Sequence, residues 1–307
     1  MGARTSATRV GIALGSGVAR GWAHIGVLRA LERAGIEPDI VCGTSIGALV
    51  GGVYLGGQLG ALEAWARGLT KVRLARLFDY ELGHGGLVSG RRILRLFDGG
   101  SGEALIEQLP KRFACVCTDL DTGHEVWLQQ GNLSEAILAS CALPGVAAPV
   151  NVEGRWLLDG ALVNPIPVSV CRALGAQLVI AVNLNADIFG SGAWKAASEI
   201  EAADERAIAT RMKNLPGAEL LRQLVSRWND APSILSVMAR SLTIVQDRIS
   251  RSRLAGDPPD VTIAPKLKHI GVFQFDRARE SIEAGEAAVE PLLPAIRDAL
   301  RRLNMKL

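Results

Sequence analysis

The sequence predicts an α/β fold with a mostly parallel central sheet. Three observations carry that expectation. Short apolar runs bounded by glycine alternate with amphipathic runs in the order strand, helix, strand, helix, the order that builds parallel βαβ units. Glycine is over-represented, with 34 of 307 residues, about 11% against a typical ~7%. Fourteen of those glycines fall in the first 60 residues, with no period of three. The N-terminal part therefore needs tight turns and close backbone approach, and a collagen-like chain is excluded.

Each element follows from its own pattern. Val10–Leu14 (VGIAL) is a short apolar run that suits a buried strand. Trp22–Ala34 follows as a helix, with Ile25, Leu28, Ala30 and Leu31 on one stripe and Gly35 as its stop. Asp39–Cys42 predicts a second strand, and Ile46–Leu55 a second helix ended by Gly56-Gly57. Leu62–Arg76 reads as a third helix. Loops are expected at Gly83–Gly90 and Asp98–Gly102, with helical pieces at Arg91–Phe97 and Glu103–Gln108. Phe113–Asp119 and Glu125–Leu128 read as a hairpin turning at Asp121-Thr122-Gly123. Ser134–Ser140 is a short helix, Trp156–Leu158 a brief strand, Pro167–Leu174 a helix closed by Gly175, and Leu178–Leu184 a buried strand.

From about residue 190 to 255 strand patterns vanish and helical ones take over, with ten Lys and Arg against seven Asp and Glu. Val261–Ala264 returns as a strand, and Ser281–Leu300 is helical. The expected organisation is one α/β domain over residues 8–288. It holds a basic helical insertion at about 190–255 and is followed by a helical tail over 289–307.

Composition narrows the function. Hydrophobic residues make up 49% and charged residues 21%, an ordinary globular balance. A net charge of +3 is too small for a dedicated nucleic-acid binder. Five dispersed cysteines (Cys42, Cys115, Cys117, Cys141, Cys171) argue against a secreted disulfide framework. No CxxC occurs and the four histidines are scattered, so no metal site is expected. No signal peptide and no run of 18 apolar residues is visible, which leads to the expectation of a cytoplasmic protein. Within the insertion, Leu220, Leu221, Leu224, Val225 and Trp228 share a helical face beside Arg222 and Arg227. That face suits packing on the core, and it also suits peripheral contact with an anionic membrane.

Three short segments carry candidate chemistry. Gly43-Thr44-Ser45-Ile46-Gly47 is a G-x-S-x-G lying directly between a strand and a helix. That setting is what a nucleophile elbow requires, because the sharp turn pushes the serine hydroxyl out of the sheet. Gly43 and Gly47 remove Cβ atoms that would collide with the crossing strand and helix. The helix N-terminus adds partial positive charge near a developing oxyanion.

Gly15-Ser16-Gly17-Val18-Ala19-Arg20-Gly21 is a second strand-to-helix loop. It lacks the last glycine of a dinucleotide fingerprint counted from Gly15, since Arg20 stands there, and it lacks the G-K-[ST] ending of a P-loop. What remains is a run of backbone N–H groups that can serve as an oxyanion hole. Asp159-Gly160-Ala161 follows the Trp156–Leu158 strand and could supply the base that a serine nucleophile needs. Of the histidines, only His24 is expected near Ser45, where it reads as a packed, hydrogen-bonded residue.

GIALGSGVARGWAHIGVL, GTSIGAL and DGA, in this order, resemble the patatin-like phospholipases, in particular the bacterial RssA-type branch related to the patatin-like domain of neuropathy target esterase. Ser140-Cys141-Ala142-Leu143-Pro144-Gly145, Asp159 to Pro167 and Ala255 to Asp260 also look like this branch. The likeness covers roughly Val10 to Ala288. It implies a patatin-like three-layer fold and a Ser–Asp dyad in place of a triad. Ser45 would be the nucleophile and Asp159 its proton acceptor. The N–H groups of Gly17 and Val18 would form the oxyanion hole, and Arg20 matches the basic residue that stabilises the loop.

The implied substrate is a lipid or fatty-acyl ester, with no cofactor. The chain departs from the family's loop at Ser16 and Val18, where the family carries glycine. Backbone N–H groups survive that change, although a β-branched residue resists positive φ. Two other classes stay open at this level. One is an acyl transferase, against which the DGA motif argues, and the other is a non-catalytic regulatory protein that keeps the fold.

Overall fold

Five apolar or glycine residues in succession leave no polar face, so β1 (Val10–Leu14) is buried along its whole length. The computed structural model describes residues 9–70, 73–74, 104–188 and 234–303. A 3₁₀ turn (Val18–Trp22) leads into α1 (Ala23–Arg33), followed by β2 (Ile40–Thr44), α2 (Ile46–Leu55) and α3 (Leu59–Arg67). Next come β3 (Arg112–Asp119), β4 (Glu125–Leu128), α4 (Leu133–Ser140), β5 (Val150–Val152) and β6 (Arg155–Asp159). A 3₁₀ turn (Gly160–Leu162) precedes α5 (Val168–Ala173) and β7 (Leu178–Val182). The chain closes with α6 (Ile234–Gly256), β8 (Val261–Ile263), α7 (Ala278–Val289) and α8 (Leu293–Arg302).

The eight strands form one sheet in the order β5-β6-β3-β2-β1-β7-β8, with β4 also on β3. The pairs β3–β2, β2–β1, β1–β7 and β7–β8 are parallel, and β4, β5 and β6 make an antiparallel corner. Alternation along the parallel strands sends side chains to both faces. Val10, Ile12 and Leu14 join Val41, Leu178, Ile180 and Val182 in a core covered by α1, α2 and α7. Ala13, Ile40, Cys42, Val179 and Ala181 join Val168, Val170 and Cys171 of α5 in a second core on the opposite face. The result is three layers, helix on sheet on helix, as expected.

One helix crossing brings backbone against backbone. A Cβ at Gly26 of α1 would lie 1.9 Å from the Ile282 carbonyl oxygen, and one at Gly285 of α7 would lie 2.0 Å from that of Ala23. Ile296 and Leu300 of α8 are buried in the same core.

The elements deviate from the sequence pattern in instructive places. The second strand runs to Thr44, past the expected end at Cys42, because the parallel ladder with β3 continues to Val116. The third helix ends at Arg67 with Gly68 as its cap, well before Arg76. In the described part of the expected helix Glu103–Gln108, residues 104–108, the helical element is a 3₁₀ turn at Ile106–Gln108. β5 carries no sequence signal strong enough to read. It pairs with β6 across Glu153 and Gly154, both at positive φ (51° and 85°), a primed two-residue turn without the usual Asn-Gly. Prolines break the last helical stretch between α7 and α8. The expected pieces at 83–102, and the insertion up to residue 233 with its Leu220–Trp228 face, lie outside the described residues. No helix among the described residues is long and apolar enough to cross a membrane.

Candidate active site

Strand β3 brings Ser45 and Asp159 together. Its residues Cys115 and Val116 pair with β2 and also with β4, so those two neighbours occupy opposite edges. Residues Cys117 and Thr118 pair with β4 and also with β6, which puts β6 on the same edge as β2. Thr44 is opposite Val116, and Asp159 is opposite Cys117, the next residue. The ends of β2 and β6 therefore meet head to head. The Ser45 hydroxyl donates to Asp159 Oδ2 at 2.6 Å, across 114 residues of sequence.

Ser45 sits on a strained turn with φ 57° and ψ −125°. For a non-glycine residue such a conformation costs about 1–3 kcal/mol and persists only where the surroundings over-determine it. Those surroundings are steric. A Cβ at Gly43 would lie 2.4 Å from backbone atoms of Ala48, and one at Gly47 would lie 2.1 Å from the Leu14 carbonyl oxygen. Two hydrogen bonds lock the turn: Thr44 Oγ1 donates to the Asn164 carbonyl at 2.8 Å, and the Ser45 N–H donates to Ser140 Oγ at 2.9 Å.

Asp159 is 1% exposed and Ser45 7%. Burial pushes the Asp159 carboxyl up to about 6, against the opposing effect of donation by Ser45 and by the Ala161 N–H. The Ala161 N–H reaches Oδ1 at 2.8 Å, so each carboxylate oxygen has one donor. Gly160 is obligatory beside it, because a Cβ there would lie 2.1 Å from the Val116 carbonyl oxygen. Thr118 Oγ1 holds the Asp159 carbonyl at 2.8 Å.

The Gly15–Gly21 loop packs against the elbow at both of its ends. The Cβ missing from Gly47 would also lie 2.9 Å from the Gly15 carbonyl oxygen, and one at Gly21 would lie 2.1 Å from Ile46 Cγ1. The loop is clamped by Gly15 N–H to Val182 O (3.2 Å), Ser16 N–H to Pro165 O (2.9 Å) and Ala19 N–H to Val272 O (3.1 Å). The buried Arg20 donates Nε–H to the Ile270 carbonyl at 2.9 Å. His24 contacts the loop: a carbonyl only accepts, so its Nε2 carries the proton and donates to Gly15 O at 2.7 Å. Burial lowers the His24 pKa to about 4, so the ring is neutral near pH 7.

Among the described residues, neither the Gly17 nor the Val18 N–H has a hydrogen-bond partner. Val18 adopts φ 51° in spite of its branched side chain. A Val18→Gly variant is therefore expected to be at least as stable as the parent. Relief of ~1–3 kcal/mol of strain outweighs the ~0.5–1 kcal/mol entropic cost of glycine. Urea denaturation reads this, and a loss above ~1 kcal/mol would contradict the left-handed geometry.

The sequence-derived residues thus converge: the glycine loop, the elbow and the DGA segment meet at one place. Sequence reasoning did not assign roles to Ser140, Cys141 and Ala142, which lie against both Ser45 and Asp159. The only sequence signal for them was their membership of a segment shared with the resembled branch.

Comparisons with known proteins identify the family and the fold. The family model for patatin-like phospholipase matches residues 12–172. An uncharacterized NTE family protein of Mycobacterium tuberculosis is 34% identical over 335 residues, covering 95% of this chain and 93% of the relative. A lysophospholipase, nte1, of Emericella nidulans is 28% identical over 298 residues, covering 91% of this chain but 18% of that much longer one. Among solved structures, VipD from Legionella pneumophila superposes with a TM-score of 0.53 at 12% identity, covering 94% of this chain and 67% of that one, a likeness of fold. By its sequence match over more than half its length, the chain belongs to the patatin-like phospholipase family.

Proposed function

We propose that this protein is a serine hydrolase of lipid acyl esters, of phospholipase A or lysophospholipase type, working through Ser45 and Asp159. The observation that carries the reading is the 2.6 Å hydrogen bond from the elbow serine to a buried carboxylate. Family membership and the similarity to a fungal lysophospholipase support the substrate class.

The chemistry follows from the geometry. As Ser45 Oγ attacks the acyl carbonyl, its proton passes to Asp159 Oδ2. The carbonyl oxygen becomes an oxyanion, received by the N–H groups of Gly17 and Val18 and favoured by the N-terminus of α2. The C–O bond to the leaving alcohol breaks as Asp159 returns the proton to that oxygen, leaving an acyl-serine. Water then gives a proton to Asp159 as it attacks the acyl carbon. Collapse of the second tetrahedral intermediate re-protonates Ser45 Oγ and releases the fatty acid. One carboxylate thus does the work of base and acid, which its raised pKa suits.

Ser45→Ala is expected to abolish both labelling by a fluorophosphonate probe and hydrolysis of p-nitrophenyl esters. Labelling that persists in Ser45→Ala would sink the nucleophile assignment. A lipidomic screen of the wild type against the same variant identifies the physiological ester.

A further inference from the structure

The C-terminal end of α4 and the two residues after it touch both members of the Ser45–Asp159 pair. Ser140 is completely buried, and its hydroxyl makes two hydrogen bonds. It donates to the Val116 carbonyl at 2.6 Å and accepts the Ser45 N–H at 2.9 Å. Two residues on, the Ala142 carbonyl accepts the Asp159 N–H at 3.0 Å. Between them stands Cys141, a free thiol. Burial and the nearby Asp159 carboxylate keep that thiol protonated.

We infer that Ser140-Cys141-Ala142 is a clasp that fixes the strained elbow relative to the carboxylate, with Ser140 as its positioning residue. The need for it follows from the elbow itself. Ser45 stands before the first turn of α2, so its N–H has no partner within that helix. A buried N–H without a partner is costly, and the strained φ of Ser45 offers an escape to an ordinary backbone conformation. The Ser140 hydroxyl removes the first penalty and blocks the second. It does so while tied to Val116, the β3 residue opposite Thr44 and one before the partner of Asp159. Elbow, carboxylate and clasp thus share one strand as their ruler. The catalytic part of this inference rests on the function proposed above, whereas the structural part does not.

The test uses the full chain carrying Ser140→Ala, Ser140→Thr or Ser45→Ala. Hydrogen exchange at the Ser45 amide reads the clasp whether or not the protein hydrolyses esters. Ser140→Ala is expected to speed that exchange about tenfold beyond any change at amides elsewhere in the sheet, the factor that ~1.4 kcal/mol represents. In p-nitrophenyl ester hydrolysis, Ser140→Ala is expected to lower kcat about tenfold or more with little change in KM. Ser140→Thr, which keeps the hydroxyl, is expected to recover most of the rate. Unchanged Ser45 exchange in Ser140→Ala overturns the clasp, and so does a fall in KM and kcat that Ser140→Thr shares equally. Hydrolysis that persists in Ser45→Ala overturns the proposed function instead, and the exchange result then decides the clasp alone.

Discussion

Asp159→Asn is expected to cost about 10²–10⁴-fold in ester hydrolysis at neutral pH, the usual contribution of a positioned general base, and at the same time to stabilise the fold. Asparagine fills the same space but cannot take the Ser45 proton. The stability gain follows from linkage. The folded carboxyl titrates near 6 because burial penalises its charge, against an ordinary value of 3.8. Between those two values the folded chain holds a proton that the unfolded chain has lost, so stability falls as pH rises through this window. The contribution of neutral Asp159 is full below 3.8 and gone above about 6. The variant lacks this penalty, so its advantage in thermal unfolding should be present at pH 8 and vanish near pH 4. A variant less stable than wild type at pH 8 would contradict the account. By the same ionisation, wild-type kcat/KM for ester hydrolysis is expected to rise through about pH 6.

Gly47→Ala is expected to damage both stability and activity. The added Cβ would lie 2.1 Å from the Leu14 carbonyl oxygen, 2.6 Å from the Leu14 carbonyl carbon and 2.9 Å from the Gly15 carbonyl oxygen. All three are backbone atoms of β1 and of the loop that follows it, which no side-chain rotation can clear. The start of α2 must move away from the sheet, at a cost of about 3 kcal/mol or more. That shift carries Ser45 away from Asp159 and from the loop, so hydrolysis should fall with stability. Gly56→Ala, at the far end of the same helix, is the control, because its Cβ would meet nothing closer than 3.4 Å at an ordinary φ of −72°. Urea denaturation of the two variants should separate them by several kcal/mol, and equal midpoints would overturn the steric reading of the elbow.

Much of this was legible in the sequence because it is local. A run such as VGIAL between glycines can only be buried between neighbours, and β1 has the predicted bounds of Val10–Leu14. Helix α2 likewise runs from Ile46 to Leu55 as its pattern says. The two strand–turn–helix junctions advertise themselves through glycines that a close backbone demands. What failed was equally physical. β5 is three residues long and turns through Glu153-Gly154, so neither its length nor its turn chemistry exceeds background. Leu62–Arg76 kept a helical pattern beyond the residue where Gly68 caps the chain.

By itself, then, the sequence determined the fold class, the elbow, the glycine loop and the candidate carboxylate, because each is written in contiguous residues with their own steric logic. Only the tertiary structure decided that Asp159 meets Ser45, that the Gly17 and Val18 N–H groups have no hydrogen-bond partner among the described residues, and that Ser140 reaches behind the elbow. The meeting of Ser45 and Asp159 depends on β3 pairing with β2 and β6 along one edge, a register that brings together residues 114 apart in sequence and that no local pattern encodes.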